Sequence, residues 1–248
     1  MAAVSALAPK DRLIAALDYP GLAPAMDLAR KIAAQVGMLK VGLELFNAAG
    51  PTAIADLRAL GAGIFYDAKL YDIPHTVAGA AAAAGRLGLS LLNVHALGGT
   101  ATMRAAKEGA VRGAQEAGLA PPLVIGVTIV TSLSDREVRE ELGLPDGAEG
   151  AALRLAGLAR EAGLDGVVCS VHEVQEIKRR YGRSFVTVTP GIRPTGAAVG
   201  DQARVATPRD ALLAGADYLV VGRPITRAAD PVAAVAGILR EMAEATAG

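Results

Sequence analysis

Three ionisable residues of alternating sign, Asp67, Lys69 and Asp72, fall within six positions of the sequence. They follow the short apolar run 63–66, which predicts a buried strand. With a side-chain period of two, the carboxylate of Asp67 and the ammonium of Lys69 project to the same side of that strand. Asp72 comes where the chain has left the strand, so spacing does not fix its direction. Held at a strand end, such an array can form a preorganised electrostatic site; the alternative is a cluster of solvated charges on a loop.

Polar residues also end the other predicted strands. Lys40 follows two apolar residues of the second strand, and an unpaired ammonium in the mouth of a barrel would be costly. Asp18 and Asp67, at the ends of the first and third strands, flank Lys40 and can both pair with it. The other candidates at strand ends are His95, Thr131, Ser132, Pro190, Arg193, Gly222 and Arg223. The alternating charges favour a catalytic site over a buried network with a purely structural role.

The pattern of elements predicts how these residues are positioned. Eight short apolar runs predict strands, each followed by a helical or loop-helix segment, at residues 12–17, 38–41, 63–66, 89–94, 123–130, 166–169, 185–188 and 217–221. Apolar strands that alternate with helices indicate a parallel sheet of the α/β class, and eight such units predict a (β/α)8 or TIM barrel. We expect a single domain over residues 1–248, because no linker or composition shift divides the chain. A doubly wound open sheet is the alternative, which is weakened because no Gly-x-Gly-x-x-Gly follows the first strand.

Gly222 and Arg223, after the eighth strand, form a candidate phosphate site, since barrels bind phosphate near their last two strands. Glycine lets backbone N–H groups approach a phosphate, and arginine supplies a charged fork with two donors. Gln202 and Arg204, on the preceding loop, are further candidates for binding the phosphate. The alternative is a strand-end glycine followed by a solvated arginine.

Composition excludes several function classes. Lys plus Arg equals Asp plus Glu at 25 each, and no basic stripe with interleaved aromatics indicates a nucleic acid partner. No apolar run reaches the roughly 20 residues of a membrane span, and residues 1–10 do not resemble a secretory signal. The single cysteine, Cys169, fits a reducing compartment, so we expect a cytoplasmic protein. No zinc-like ligand spacing and no Ser-His-Asp arrangement is present, and His75 and His95 are weaker catalytic candidates.

The segment Asp67-x-Lys69-x-x-Asp72-Ile73-Pro74-x-Thr76 resembles the signature of the orotidine 5'-phosphate decarboxylases. Supporting matches run along the chain: Leu17-Asp18, Lys40-Val41-Gly42, Thr189-Pro190-Gly191-Ile192-Arg193, Asp201-Gln202-x-Arg204 and Val221-Gly222-Arg223-Pro224-Ile225. The resemblance implies a (β/α)8 barrel that forms a homodimer. It also implies conversion of orotidine 5'-phosphate to uridine 5'-phosphate, in pyrimidine biosynthesis, without cofactor or metal.

The resemblance also implies a role for each matching residue. Lys69 would donate a proton to a ring carbanion, Asp67 would lie beside the substrate carboxylate, and Lys40 would bridge the aspartates and the ribose. Asp18 would bind a ribose hydroxyl, while Asp72 and Thr76 would reach the site of the partner subunit. Further contacts are implied for Thr131 or Ser132 with the pyrimidine, and for Gln202, Gly222 and Arg223 with the phosphate. Arg193 and Pro194 would lie in the loop that closes over the substrate, and Pro190 is a further substrate-binding candidate.

Two alternatives remain open at this point. Metal-dependent sugar-phosphate decarboxylases and aldolases of the same barrel superfamily share Asp-x-Lys-x-x-Asp, but they carry a glutamate at the position of Lys40. An ammonium there would repel a divalent cation. A non-catalytic phosphate-binding barrel would keep Gly222 and Arg223 but would have no need of five alternating charges.

Overall fold

The predicted barrel is present in the computed structural model, which describes residues 7–195 and 205–246. Parallel strands pair in chain order, and β8 pairs with β1 to close the sheet. Within the described residues, the strands are β1 (Leu13–Ala16), β2 (Met38–Val41), β3 (Gly63–Leu70), β4 (Leu91–His95), β5 (Leu123–Val127), β6 (Gly166–Val168), β7 (Val186–Thr189) and β8 (Tyr218–Val221). Closure gives every strand two neighbours, so the carboxyl ends of all the strands meet at one mouth.

Helices surround this barrel and cover the outward faces of the strands. In chain order they are α1 (Pro9–Arg12), α2 (Leu22–Ile32), α3 (Leu43–Ala49), α4 (Pro51–Arg58), α5 (Pro74–Gly85), α6 (Gly99–Glu116), α7 (Asp135–Glu140), α8 (Gly147–Glu161), α9 (Val171–Tyr181), α10 (Pro208–Leu213), α11 (Arg223–Thr226) and α12 (Pro231–Thr246). In the described part of the chain, no helix combines the length and apolar character needed to cross a membrane.

Alternation along the strands divides the core into two clusters. The inward-facing cluster fills the barrel and includes Ile14, Met38, Phe65, Leu91, Ile125, Val188 and Val220. The larger outer cluster, rich in alanine, leucine and valine, packs the strands against the helices. Side chains two positions beyond an inward-facing apolar residue therefore point into the mouth, at the carboxyl end of the barrel.

Glycine allows the helices that follow β3 and β4 to pack closely. A Cβ added at Gly109 or Gly113 of α6 would collide with the backbone carbonyls of Ala78 and Ala82 on α5. This contact fixes α5 and α6 against each other behind β3 and β4, the strands that carry Asp67, Lys69 and Asn93.

The structure corrects the sequence prediction at several elements; the fifth strand, for example, ends at Val127 and not at residue 130. The third strand does not end at residue 66 but continues to Leu70, so Asp67 and Lys69 lie within the strand. The polar residues end the apolar run without ending the strand, because the Asp67 side chain bonds to Lys40 on β2 and Asn93 on β4, and the Lys69 side chain bonds to Asp67. The short helix α3 was not predicted, since Leu45 is its one buried side chain and no apolar periodicity marks it.

Candidate active site

The mouth of the barrel holds a cavity of about 590 Å³ lined by charged residues on one side and by phosphate-site candidates on the other. The charged side is formed by Asp18, Lys40, Asp67 and Lys69, together with Asn93. Each of Lys40, Asp67 and Asn93 lies two positions after an inward-facing apolar residue, namely Met38, Phe65 and Leu91. Because inward-facing side chains recur every two residues along a strand, these three polar side chains lie directly above the apolar core of the barrel.

Lys40 lies at the centre of this charged group. Its Nζ is 2.9 Å from Asp18 Oδ1 and 3.2 Å from Asp67 Oδ2, and its side chain is only 9% exposed. Burial alone would lower the pKa of Lys40, but the charges of Asp67 and Asp18 outweigh burial and raise the pKa above its ordinary value. The predicted pairing of Lys40 with both flanking aspartates is confirmed, and the lysine is held in its charged form.

Asp67 binds three groups through its two carboxylate oxygens. Lys69 Nζ and Asn93 Nδ2 each lie 2.7 Å from Oδ1, while Lys40 approaches Oδ2. Burial would raise the pKa of Asp67, but Lys40, Lys69 and the hydrogen bonds from Lys69 and Asn93 together lower it. A carboxylate that is ionised at neutral pH therefore stands between two ammonium groups in the cavity.

Lys69 combines access to the cavity with an unusual backbone. Its side chain is 34% exposed, against 12% for Asp67, so the ammonium is open to a bound molecule while its partner is not. Lys69 is also the one described residue other than glycine with a positive φ, at +47°. Asp67 and Lys69 lie on the same side of the strand, as simple alternation predicts. The strand itself is irregular there, because its register against β4 shifts between Tyr66 and Leu70.

Asn93 was missed by the sequence analysis. It is 1% exposed, and it contacts both Asp67 and the backbone of Lys69. The signal was an amide at an inward-facing position of an otherwise apolar strand, where a buried polar group needs a partner.

Asp72 and Thr76 do not join the cavity of their own chain. Both are exposed, and Asp72 Oδ1 accepts a hydrogen bond from the backbone of Ile73 at the start of α5. Tyr71 and Ile73 beside them are each 64% exposed, which is unusual for large apolar side chains. Tyr71 and Ile73 form an apolar rim next to the mouth.

The opposite side of the cavity contains the remaining candidates that the structure describes. Gly222 and Arg223 line it together with Pro190 and Arg193, whereas Gln202 lies outside the described residues. A bridge between Ile192 and Ala206 joins the two ends of the segment that contains residues 196–204. Thr131 and Ser132 both line the cavity, so its geometry does not choose between them.

The histidines are placed differently from each other. His75 is exposed on α5. The His95 ring stacks at 5.5 Å on Tyr71, and its Nδ1 accepts a hydrogen bond from the backbone of Leu97. Burial, with the nearby charge of Lys69, lowers the pKa of His95, which favours a neutral ring in a structural role. Among the residues described, no group of His, Cys, Asp and Glu has the arrangement of a metal site.

Comparison with known proteins agrees with this geometry. Residues 11–238 match the Orotidine 5'-phosphate decarboxylase / HUMPS family. The chain is 49% identical to the orotidine 5'-phosphate decarboxylase of Moorella thermoacetica, over 94% of this chain and 92% of the relative. It is 51% identical to that of Halorhodospira halophila, over 94% and 97%. The crystal structure of orotidine 5'-phosphate decarboxylase from Lactobacillus acidophilus superposes with a TM-score of 0.82 at 39% identity, over 93% of this chain and 98% of that one. The chain therefore belongs to the Orotidine 5'-phosphate decarboxylase / HUMPS family.

Proposed function

We propose that this protein decarboxylates orotidine 5'-phosphate to uridine 5'-phosphate in pyrimidine biosynthesis. The observation that carries the proposal is the buried array in which Asp67 lies between the ammonium groups of Lys40 and Lys69, at one end of a cavity whose other end holds Gly222 and Arg223. The identity of about 50% to decarboxylases of this name supports the same reaction.

Lys69 performs the chemical step in this proposal. When the bond to the carboxylate breaks, carbon dioxide leaves and the electron pair stays on the pyrimidine ring carbon, which has no adjacent electron sink. The Lys69 ammonium stabilises that negative charge as it develops and then donates a proton to the same carbon. Its 34% exposure toward the cavity and its 2.7 Å ion pair with Asp67 suit a charged donor that remains accessible to substrate.

Asp67 and Lys40 set the electrostatics around the reacting carboxylate. Asp67 is held ionised, so it would lie beside a substrate group of the same charge and favour its departure as neutral carbon dioxide. Lys40 balances this charge and, with Asp18, supplies a donor and an acceptor for ribose hydroxyls.

Remote parts of the substrate bind on the opposite side of the cavity. Gly222 and Arg223 hold the phosphate in this proposal, with Gln202 from the adjoining segment, while Thr131 or Ser132 contacts the pyrimidine. Pro190 and Arg193, which line the same side of the cavity, also contact the substrate in this proposal. Binding energy from the phosphate thereby helps to orient the ring against Lys69.

We further propose a homodimer with shared active sites. Asp72 and Thr76 are exposed and do not line the cavity of their own chain, and they lie beside the exposed apolar side chains of Tyr71 and Ile73. In a two-fold dimer that buries this rim, Asp72 and Thr76 of each chain would enter the other chain's site.

Subunit mixing tests the shared site. Lys69→Ala and Asp72→Ala proteins, each inactive alone, are mixed under conditions that allow exchange, which is followed by native mass spectrometry. About half of the dimers become hybrids, each with one undamaged site, so activity should recover to about a quarter of wild type. If hybrids form without any recovery, Asp72 serves the site of its own chain.

A cytoplasmic location is also part of the proposal. Cys169, the single cysteine, is buried and has no second cysteine in the chain to form a disulfide with, which fits a reducing compartment. Cell fractionation with an antibody against the protein tests this location.

The decarboxylation assay tests the function itself. Loss of the near-ultraviolet absorbance of orotidine 5'-phosphate is followed with and without exhaustive chelation, with Lys69→Ala purified in parallel as a control for contaminating enzyme. We expect full activity in chelator, because the Lys40 ammonium stands where a cation would need a negative ligand. Activity that disappears with chelator and returns with magnesium would place the protein in the sugar-phosphate branch of the family.

A further inference from the structure

Asn93 faces an irregular stretch of β3 that contains two of the charged residues. In the parallel pairing of β3 with β4, Tyr66 is opposite Leu92 and Leu70 is opposite Val94. Three residues of β3, 67–69, therefore face a single residue of β4, which is Asn93. Such a bulge interrupts the backbone ladder and leaves polar groups that need other partners.

The Asn93 side chain supplies those partners. Its Oδ1 accepts a hydrogen bond of 2.7 Å from the backbone N–H of Lys69, and its Nδ2 donates one of 2.7 Å to Asp67 Oδ1. The chemistry of the two contacts fixes the amide orientation, because an N–H requires an acceptor and a carboxylate requires a donor. Neither an aspartate nor a leucine of similar size can make both bonds.

The bond to Lys69 acts at the one described residue other than glycine whose φ is positive. The φ of +47° is a conformation that side-chain-bearing residues rarely adopt, and it persists only where the surroundings hold it. This backbone conformation sets the direction in which the Lys69 side chain leaves the strand. Since Asn93 is 1% exposed, water cannot readily replace its two hydrogen bonds.

We propose that Asn93 is a positioning residue that holds the Asp67 carboxylate and the Lys69 ammonium in the geometry needed for the decarboxylation step. The inference rests on the roles proposed above for Asp67 and Lys69. Asn93 acts through these two residues, so its loss should lower kcat and leave KM nearly unchanged, because its side chain bonds to none of the residues assigned to the phosphate or the ribose.

Two substitutions separate the two hydrogen bonds. Asn93→Leu removes both, whereas Asn93→Asp keeps an acceptor for the Lys69 N–H but places a second carboxylate against Asp67. We expect kcat to fall about 100-fold in Asn93→Leu, the scale of a misplacement of about 1 Å. Asn93→Asp should lose at least as much, since Asp67 then faces a like charge. KM should stay within about threefold of wild type in both, since substrate binding is not altered.

The pH profile of kcat gives a second readout. The groups that face Asp67 are Lys40 on β2, Lys69 on its own strand and the neutral Asn93 on β4, while Asp18 lies behind Lys40 and His95 near Lys69. Loss of the Nδ2 donor raises the pKa of the Asp67 carboxyl, so the acid limb of the profile should move to higher pH in both variants. It should move furthest in Asn93→Asp.

Thr187→Val provides a control for purely structural damage. Thr187 is a fully buried residue of β7 whose hydroxyl bonds with Asp217, outside the cavity. This variant should lower Tm without changing kcat or its pH profile.

Four outcomes would overturn the inference. The first is a kcat of Asn93→Leu within about threefold of wild type, and the second is an acid limb of the pH profile that does not move. The third is a decrease in activity no larger than the fraction of the variant that is unfolded, and the fourth is unfolding of the Asn93 variants while Thr187→Val stays folded. Failure of the proposed function is recognised separately, because the wild-type protein would then not decarboxylate orotidine 5'-phosphate.

Discussion

Replacing Lys40 with methionine should destabilise the folded protein by about 2–3 kcal/mol. Removal of one member of a buried ion pair typically costs about 3–5 kcal/mol, because the other charge stays buried without its partner. Here Asp67 keeps Lys69 and Asn93, each at 2.7 Å, so we expect a loss nearer to one charge-assisted hydrogen bond, about 1.5–3 kcal/mol. Asp18 adds at most about 1 kcal/mol, because its side chain is 54% exposed.

Thermal and urea unfolding at pH 7 measure this loss. For a chain of this size, Tm should fall by about 4–12 °C, at about 2–4 °C per kcal/mol. Methionine keeps an unbranched side chain of similar length, so the change reports the charge more than the packing. The same substitution should also abolish most turnover, since Lys40 balances Asp67 in the proposed mechanism.

A double-mutant cycle with Asp67→Asn isolates the pair. In the Asp67→Asn background, Lys40→Met should cost less than half of its cost in the wild type, because no buried carboxylate is then left unpaired. Equal costs in the two backgrounds, or a Lys40→Met protein as stable as wild type, would refute the view that Lys40 compensates a buried charge.

Three further predictions follow from the site. Arg223→Ala should weaken binding of uridine 5'-phosphate by about 10- to 150-fold in calorimetry and leave uridine binding unchanged, since a charge-assisted hydrogen bond to phosphate is lost; equal losses would place Arg223 elsewhere. Gly42→Ala should lower kcat/KM at least about tenfold, because its Cβ would stand 2.9 Å from Lys40 Nζ and 3.0 Å from Asp18 Oδ1 and would disturb their ion pair, whereas Gly21→Ala, with open space around it, should leave kcat/KM unchanged. Because folding lowers the pKa of Asp67, the ionised carboxylate stabilises the fold at pH values above its unfolded-state pKa of about 3.9, and this stability is lost as pH falls through the folded-state pKa. Because folding raises the pKa of Lys40, the charged ammonium stabilises the fold below its unfolded-state pKa of about 10.4, and this stability is lost as pH rises through the folded-state pKa. Unfolding measured across pH should show both losses in wild type, and neither should remain in Lys40→Met/Asp67→Asn.

The sequence was sufficient for the barrel and for the pairing at its centre. Apolar runs alternating with helices leave few topologies for a chain of this length, and strand period alone directs Lys40 and Asp67 into one mouth. The 2.9 Å and 3.2 Å contacts of Lys40 confirm this prediction.

The bulge and Asn93 were beyond what the sequence can predict. They depend on how β3 is registered against β4, a property of residues 24 to 26 positions apart in the chain. An asparagine inside an apolar strand does not by itself name its partner, and the positive φ of Lys69 has no local signature. The spacing in the sequence did not fix the direction of the Asp72 side chain. In the structure this side chain is exposed, and its role in the site of a partner subunit stays a prediction.

Turnover by Lys69→Ala, measured beside its binding of uridine 5'-phosphate, tests the central claim most directly. A suitable control is Lys107→Ala, since Lys107 is also ion-paired, with Asp165, but lies outside the cavity. We predict that the folded Lys69→Ala protein still binds uridine 5'-phosphate, while its turnover falls at least about 10⁴-fold through the combined loss of a proton donor and a charge-stabilising group. Lys107→Ala should keep wild-type turnover. A folded Lys69→Ala enzyme that turns over within about tenfold of wild type would contradict the proposed mechanism.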